Sequence, residues 1–281
     1  MRSMSTQSQT VMVYSSKRQS VLADLRRFIA YRELLLVFAQ RDLKVKYKQT
    51  LLGILWAWIQ PFMLMVVFSI VLGRVARVSS EGFPYPVFVY AGLLPWNYFS
   101  AVVASATNSV VQNQAIVTKV AFPREILPLF HIVSGGVDFL IGAVVFVAIL
   151  VYYHISISWT AVFIAPLLLA QVFLMASIGL ILAALNAYYR DVRHALPLAL
   201  QVWMFSTPVV YSTRAIPESL QPLYLILNPM AMIVDGYRRV ILHKGTPDLE
   251  MLAVLIMVMA VLFMGSYWIF KQVERNMADV V

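Results

Sequence analysis

The sequence contains no cysteine and few charged side chains. The absence of cysteine excludes disulfides, thiolate catalysis and zinc-thiolate sites. Charged residues make up 12% of the 281 residues, against about 25% in an ordinary soluble domain, and hydrophobic residues make up 61%. This composition excludes a soluble globular domain and indicates an integral membrane protein.

Several chemical motifs are also missing. The sequence has no G-x-x-x-x-G-K-[ST] loop for ATP and no Ser-His-Asp order, and its four histidines lack metal-ligand spacing. We therefore expect no catalytic residue, metal or cofactor in this chain, so any ATP it uses must be bound by another chain. The net charge of +9 comes from basic residues at the ends of hydrophobic stretches. That placement is typical of anchoring at lipid headgroups, so we expect membrane lipids and not nucleic acid as partners.

Six stretches are apolar over the roughly 20 residues that a membrane-spanning helix needs. They lie near 52–73, 86–111, 128–153, 161–185, 194–211 and 249–270. Lysine and arginine are concentrated before the first stretch, in the 112–127 and 186–193 loops and in the C-terminal tail. Short cytoplasmic loops are enriched in these residues, so both termini are expected in the cytoplasm. We predict an all-α integral membrane protein with one domain, a six-helix transmembrane bundle over 52–270 and a cytoplasmic tail over 271–281.

The region before the first span has two parts. Residues 1–20 are rich in Ser, Gln and Thr and are predicted to form a flexible tail. Over 22–48, apolar residues recur at intervals of three, four and seven, which predicts an amphipathic helix at the membrane surface. Its apolar face consists of Tyr31, Leu34, Leu35, Phe38 and Val45. The helix either docks a cytoplasmic partner or only anchors the chain to lipid, and the sequence leaves both open.

The stretch from 211 to 244 is too apolar for an ordinary loop and too interrupted to cross the membrane. Pro217, Pro222 and Pro229 divide it into pieces of roughly 12 residues, which do not span a bilayer. Broken backbone at membrane depth must be covered by protein or water, so we predict short re-entrant helices between the fifth and sixth spans. They form either a gate or a packed plug.

Asp138 is a carboxylate well inside the third predicted span. A charge at that depth is costly and by default suggests function. No basic residue in another span is an obvious partner, so a proton or ion relay has little support. We favour a structural hydrogen bond within the bundle.

Other polar and aromatic residues of the spans are candidates for lining a pathway. Helix packing explains many polar residues on span faces, and the headgroup belt explains many aromatic residues near span ends. Aromatic rings also pack well on sugars, so composition alone leaves both explanations open. The candidate lining residues are Trp58, Phe62, Asn97, Asn108, Trp203 and Tyr211.

Several segments in a fixed order resemble one family. They are RDLKVKYKQTLLGILWAWIQPF at 41–62, AGLLPWNYFS at 91–100, TKVAFPREILPL at 118–129, NAYYRDVRH at 186–194, and then STPVVYS and LNPMAMIVDGYRRVIL. Over residues 25–275 the chain resembles the permease subunits of ABC type-2 polysaccharide exporters, in the O-antigen and lipopolysaccharide export branch. Each motif alone is weak, and their combination makes the resemblance specific.

The resemblance implies a homodimer that works with two copies of a cytoplasmic nucleotide-binding subunit, which would bind ATP and Mg²⁺. It implies a coupling loop over 118–125, a second cytoplasmic contact over 186–194 and exit-side gate helices over 216–243. The implied ATPase-coupling residues are Thr118, Lys119, Phe122, Pro123, Arg124, Glu125, Arg190, Asp191 and Arg193. The implied gate residues are Pro217, Pro222, Asn228 and Pro229.

The substrate implied by the resemblance is a polyprenyl-diphosphate-linked O-antigen polysaccharide, moved across the bacterial inner membrane. Lys44, Lys46 and Lys48, together with Arg190, are our hypothesis for binding the diphosphate where the substrate enters, because lysine and arginine suit phosphate oxygens.

Three alternatives differ in substrate or in class. The chain could export teichoic acid or capsular polysaccharide by the same mechanism. An ion-coupled transporter would need paired ionisable residues at the midplane, where the sequence offers only Asp138. A membrane-embedded glycosyl- or phosphotransferase would need acidic metal-binding pairs, and the only close pair, Asp248 and Glu250, lies in an exit-side loop where solvation explains it.

Overall fold

The structure is a computed structural model that describes residues 30–48, 53–120 and 122–274. Within these ranges every regular element is a helix, which confirms the all-α prediction. The predicted tail over 1–20, the beginning of the surface helix before residue 30 and the last part of the C-terminal tail lie outside the described residues. The α-helices are α1 Arg32–Lys48, α2 Trp56–Phe68, α3 Tyr85–Gln112, α4 Gln114–Val117, α5 Ile126–Tyr152, α6 Ile164–Tyr188, α7 Val192–Ser206, α8 Gln221–Leu227, α9 Pro229–Ile241 and α10 Leu249–Glu274.

Five of the described helical segments are long and apolar enough to cross a membrane. They are Trp56–Val75, Tyr85–Gln112, Ile126–Tyr152, Trp159–Tyr188 and Leu249–Glu274. The first continues α2 through a π-helix at Ser69–Val75, and the fourth begins with a 3-10 helix at Trp159–Phe163. The fifth predicted span contains α7, which has 15 residues and is shorter than the roughly 20 that a straight crossing needs. A sixth span therefore stays a prediction.

Helix α3 is the centre of the bundle. It packs against α2, α5, α6, α7 and α9, and α10 packs on the outer side of α6. In the most apolar 18-residue stretch of α3, 78% of the residues are buried. In the corresponding stretch of the segment Trp56–Val75, only 6% are buried. A helix that is apolar on all sides belongs inside a bundle, as α3 does. In contrast, most apolar side chains of α2 are only half-buried or are exposed.

The helix ends form two faces of the bundle. The α1 face contains α1, the 113–125 loop, the 188–193 segment and the end of α10, where the Tyr188 hydroxyl donates to the Val273 carbonyl at 3.3 Å. The opposite face contains the 76–84 loop, the 207–228 segment and the 242–248 loop. There the carboxylate of Glu81 accepts from Ser212 and lies 2.7 Å from Nε2 of His243.

Two short helices replace a straight crossing between α7 and α10. Asn228 ends α8 and caps α9, because its side-chain oxygen accepts from the backbone N–H of Ala231 at 3.2 Å. Pro229 is the first residue of α9, where its missing N–H costs no helical hydrogen bond. Pro217 is exposed in the preceding loop, and Pro222 lies in α8 with its side chain outside the described part. The break is where the prolines predict it, and a gating role stays a prediction.

Candidate functional site

The 113–125 loop on the α1 face is held by an aromatic cluster. The ring of Phe38 in α1 lies 6.1 Å from that of Phe122 and is stacked 5.6 Å from that of Phe130 in α5. At the start of the loop, Arg41 donates to the side-chain oxygen of Asn113 at 2.8 Å. The surface helix and the predicted coupling loop therefore form one packed unit.

Glu125 is the N-cap residue of α5 and is fully buried. Its carboxylate accepts from the Tyr267 hydroxyl at 3.0 Å and from Nζ of Lys271 at 2.7 Å, both in α10. Lys271 also pairs with Glu274 at 2.9 Å. Burial raises the pKa of Glu125, and the charge of Glu274 raises it further, while Lys271 opposes both. Glu125 thus fastens the end of the loop to the last helix.

Arg124 is bonded to the same helix end. Its backbone N–H donates to Oε1 of Glu274 at 2.9 Å, and its guanidinium donates to the Glu274 carbonyl at 2.5 Å. The next residue toward the loop tip, Pro123, is buried. The structure thus gives Arg124 and Pro123 contacts within this chain, and their predicted seating in a partner groove stays a prediction.

The tip of the loop is open. Thr118 and Lys119 are exposed, and the neighbouring Val120 is 56% exposed. The predicted coupling residues therefore fall into an exposed group, which a partner can reach, and the group of Phe122, Pro123, Arg124 and Glu125, which anchors the loop.

The second predicted cytoplasmic contact is also exposed. Arg190 and Asp191 lie in the turn between α6 and α7, and Arg193 follows in the first turn of α7, where its Nε donates to Nε2 of His194 at 3.2 Å. Just before this turn, the buried amide of Asn186 donates to the Thr107 carbonyl at 3.0 Å, which fixes α6 to α3. The segment combines an anchored beginning with a charged, accessible turn.

Asp138 has the basic partner that the sequence did not reveal. Nζ of Lys46 forms an ion pair with Asp138, and the Tyr47 hydroxyl also donates to it. One turn earlier on α1, Asp42 lies 3.8 Å from Nδ1 of His131 in α5. The sequence analysis looked for a basic partner in another span, and the partner lies instead on the surface helix. Burial and the Asp138 carboxylate together raise the pKa of Tyr47.

The remaining lysines of α1 face outward. Lys44 and Lys48 are exposed and make no hydrogen bond or ion pair with the described residues. With Leu43 and Tyr47 they line a shallow pocket of about 480 Å³. Val45, predicted on the apolar face, is 73% exposed, because this end of α1 contacts α5 through the polar Asp42 and Lys46. Two of the three predicted substrate-binding lysines are thus accessible and unpaired, and the third is paired.

The candidate lining residues do not form one surface. The indole N–H of Trp203 donates to the side-chain oxygen of Asn228 at 3.0 Å, so α7 is bonded to the cap of α9. Tyr211 reaches the same region, with its hydroxyl 3.4 Å from that of Tyr224. The other candidates are the edge-to-face pair of Trp58 and Phe62 in α2, and Asn97 and Asn108 along α3.

Arg238 is a buried charge that was not among the candidate site residues. It is 3% exposed and donates to the carbonyls of Phe88, Pro208, Val209 and Tyr211. Its guanidinium also lies 3.7 Å from the centre of the Phe88 ring. The signal was present in the sequence, since Arg238 follows Val234 by four positions and precedes Ile241 by three, which is the spacing of the buried face of α9.

Gly92 in α3 allows this packing. A methyl group there would lie 2.6 Å from the Val209 carbonyl oxygen and 2.8 Å from the guanidinium of Arg238. Only glycine lets the backbone of the 207–211 segment come this close to α3. Arg238 and Gly92 therefore fix the broken segment against the centre of the bundle.

Comparison with known proteins decides the family. Residues 33–242 match the family described as ABC-2 type transporter. The chain belongs to this family. It is 31% identical to the O-antigen export system permease protein RfbA of Myxococcus xanthus, over 92% of this chain and 98% of the relative. The RfbA protein of Klebsiella pneumoniae is 28% identical, over 89% of this chain and 95% of that relative. The polysialic acid transport protein KpsM of Escherichia coli is 23% identical, over 72% of this chain and 78% of that relative.

Membership in the ABC-2 family makes this chain a multi-pass membrane subunit with a role in transport. The matched region extends from α1 to the end of α9 and so includes every predicted site residue. It ends before α10, whose residues Tyr267, Lys271 and Glu274 hold the 113–125 loop. No group of three histidine or acidic residues in the described ranges could hold a metal ion.

Proposed function

We propose that this chain is the permease subunit of an ATP-driven exporter that moves a polyprenyl-diphosphate-linked O-antigen polysaccharide across the bacterial inner membrane. The observation that carries the proposal is the near full-length similarity to O-antigen export permeases, at 31% identity over 98% of one relative. The polysialic acid transport relative is less similar and covers less of the chain. Export of a capsular or teichoic acid polymer is therefore the second candidate.

The proposed complex contains two copies of this chain and two copies of a nucleotide-binding subunit, which binds the ATP and Mg²⁺. A stripe of exposed apolar side chains along α2 supports a second copy. Trp56, Met63, Val67 and Val71 are each about half exposed, and they face either lipid or another protein. Both termini are proposed to lie in the cytoplasm, which makes the α1 face the ATPase side.

The exposed tip of the 113–125 loop is the proposed contact with the ATPase. Lys119 at the tip, and Arg190 and Arg193 in the neighbouring turn, present cations that an acidic surface would attract. Arg124 and Glu125, at the base of the loop, connect it to α5 and α10. A displacement of the loop tip by the ATPase would therefore be transmitted to these two helices. The proposed coupling is therefore mechanical and passes through Phe122, Arg124 and Glu125.

The proposed binding site for the diphosphate is at the end of α1. Lys44 and Lys48 are accessible and share a shallow pocket with Tyr47, and this arrangement supports the binding of phosphate oxygens. Lys46 is assigned instead to holding α1 on Asp138. On the opposite face, α8 and α9 are the proposed exit gate, and Asn228 between them is bonded to Trp203 of α7.

The proposal is tested by tagging the full-length chain, purifying it in mild detergent and identifying the proteins that accompany it. A P-loop ATPase in stoichiometric amount is expected. Lys119→Glu should reduce its recovery and its ATPase activity, while Arg239→Glu, a charge reversal at an exposed site of α9, should change neither. A chain that purifies alone, or equal recovery with Lys119→Glu, would contradict the coupling assignment.

The substrate is tested in cells that lack their own O-antigen permease and receive this chain with its ATPase. Surface display of O-antigen is expected, and display of only a capsular polymer would favour the second candidate. Replacing Lys44 and Lys48 by glutamine should lower both export and binding of the lipid-linked glycan. If both stay at wild-type levels, the assignment of the diphosphate site is wrong.

A further inference from the structure

A groove of about 790 Å³ lies between α2 and α5, on the half of the bundle that leads to the opposite face. One wall is formed by residues of α2 and its π-helix at helical spacing, including Phe62, Val66 and Ser69. The other wall is the last part of α5, including Ala148 and Tyr152. The lining is largely apolar, and none of the predicted site residues except Phe62 contributes to it.

The groove follows from the way α2 meets its neighbours. At Gly73 a methyl group would lie 2.8 Å from the ring of Tyr85, so α2 touches the start of α3 closely at this point. The helix winds as a π-helix over Ser69–Val75, a distortion that is frequent at functional sites. Few residues of the segment Trp56–Val75 are buried, which leaves the space between α2 and α5 open at the surface.

The length of the groove corresponds to one membrane leaflet. Phe62 and Arg74, both in its lining, are 12 positions apart in the sequence. At the α-helical rise of about 1.5 Å per residue the distance is at most roughly 18 Å, because the π-helix rises less per residue. The hydrocarbon core is about 30 Å thick, so one leaflet and the start of its headgroup layer match this distance. A lipid chain that enters at Arg74 would end near Phe62.

The mouth of the groove is positively charged. Arg74 is exposed there, makes no ion pair with any acid of the described ranges, and has no carboxylate beside it in the lining. Tyr152 and Tyr153 lie at the same level, as aromatic residues do at a membrane surface. A guanidinium in this position suits a phosphate, which it can bind through two parallel hydrogen bonds.

We propose that the groove binds one anionic phospholipid of the leaflet at the opposite face, with its phosphate on Arg74 and an acyl chain between α2 and α5. The apolar lining, the one-leaflet length and the one cation among the lining residues fit such a lipid together. The bound lipid fills the space between α2 and α5 and so supports the position of the first span.

The test uses the full-length chain in phosphatidylcholine nanodiscs that contain a small fraction of phosphatidylglycerol with a photoactivatable acyl chain. After illumination, label is expected in peptides covering 62–74 and 145–153. Ala148→Trp fills the groove and should abolish this label, while Val147→Trp, at a neighbouring exposed position of α5, should retain it.

Arg74→Gln keeps the volume of the groove and removes its charge, so it tests the proposal without a change in packing. Labelling should fall about fivefold, as expected for the loss of one cation at an anionic membrane surface. Arg77→Gln, three residues further and outside the groove lining, should have little effect. Monodisperse elution of each variant in gel filtration shows that it has folded.

Four outcomes would overturn the proposal. They are label spread evenly over all lipid-facing helices, label unchanged by Ala148→Trp, crosslinks that join two copies of the chain through the groove, and displacement of the phosphatidylglycerol probe by an equal amount of prenyl phosphate. The last would assign the groove to the exported lipid. None of them depends on export activity, so the test stands apart from the proposed function.

Discussion

Lys46 of the surface helix α1 forms an ion pair with Asp138, a carboxylate in the middle of the apolar helix α5. The Asp138 side chain is 19% exposed and that of Lys46 is 50% exposed. The cost of placing a carboxylate in a span is thus offset by a cation and a tyrosine hydroxyl from outside the bundle. The pair fixes the end of α1 to α5, at the point where the chain turns toward α2.

We expect Lys46 and Asp138 to be coupled energetically. Lys46→Gln should lower the free energy of unfolding more than Asp138→Asn does, because it leaves the more buried carboxylate without its cation, whereas an amide at 138 is neutral and can still accept from Tyr47. A double-mutant cycle by denaturant unfolding in mild detergent should give a coupling energy of about 0.5 to 3 kcal/mol. Lys44→Gln is the control for loss of an exposed cation. Additive effects of the two substitutions would show that the pair contributes nothing.

Glu125 should make stability depend on pH. Burial raises its pKa above the ordinary value of 4.5, so the carboxyl favours the fold when it is protonated. That contribution is present below the unfolded-state pKa and is lost as pH rises through the folded-state pKa. Relative to Glu125→Gln, which does not titrate, the wild-type chain should lose stability as pH is raised from 4.5 toward neutrality.

The measurement is unfolding of both proteins in the same detergent at a series of pH values. Glu33→Gln, at an exposed position of α1, is the control and should follow the wild-type profile. The prediction is wrong if the free energy of unfolding of the wild-type chain, relative to Glu125→Gln, rises with pH. That result would mean that the ionised carboxylate, bonded to Lys271 and Tyr267, stabilises the fold.

Arg238 and Arg239 are neighbours with opposite environments. Arg238→Met should cost at least about 3 kcal/mol, because carbonyl groups in the bundle lose their donor. Arg239→Met, at an exposed position, should change the free energy of unfolding by less than about 0.5 kcal/mol. Yield and thermal unfolding in detergent compare the two, and similar losses for both variants would contradict the buried role of Arg238.

Gly92 and Gly265 provide a second matched comparison. Gly92→Ala places a methyl group against Val209 and Arg238 and should destabilise the fold by about 1 to 3 kcal/mol. Gly265→Ala meets no atom within 4 Å and should be neutral or stabilising, because alanine is the better helix former. Thermal unfolding of the two variants checks this, and equal melting temperatures would show that the 207–211 segment moves aside easily.

Periodicity and proline predicted most of the helices. The apolar stretches near 86–111, 128–153 and 249–270 agree closely with α3, α5 and α10, because a run of this length has few other ways to satisfy its backbone. Pro229 was one of the three prolines predicted to divide the stretch from 211 to 244, and α9 begins at it. The stretch at 194–211 was predicted too long, because its apolar residues continue past Ser206 while the helix does not.

Contacts between distant residues were the part that the sequence could not predict. Lys46 and Asp138 are 92 positions apart, and Glu125 and Lys271 are 146 apart, so no local pattern links them. The coupling loop was identified by resemblance alone, and its division into an exposed tip and a buried base appears only when α10 is seen beside it. Arg238 had a local signal in the spacing of its apolar neighbours, but its acceptors come from two other segments.

Because Trp203 donates a hydrogen bond to Asn228, its intrinsic fluorescence reports on the junction between α8 and α9. The indole of Trp203 is packed edge-on against Phe99, with ring centres 5.0 Å apart, and bonded to Asn228, which joins α8 to α9. The chain has six tryptophans, and replacing the other five by phenylalanine would leave one tryptophan at this junction. A movement of the two short helices that breaks the bond would change the emission of Trp203, so the proposed gating can be timed without an attached dye.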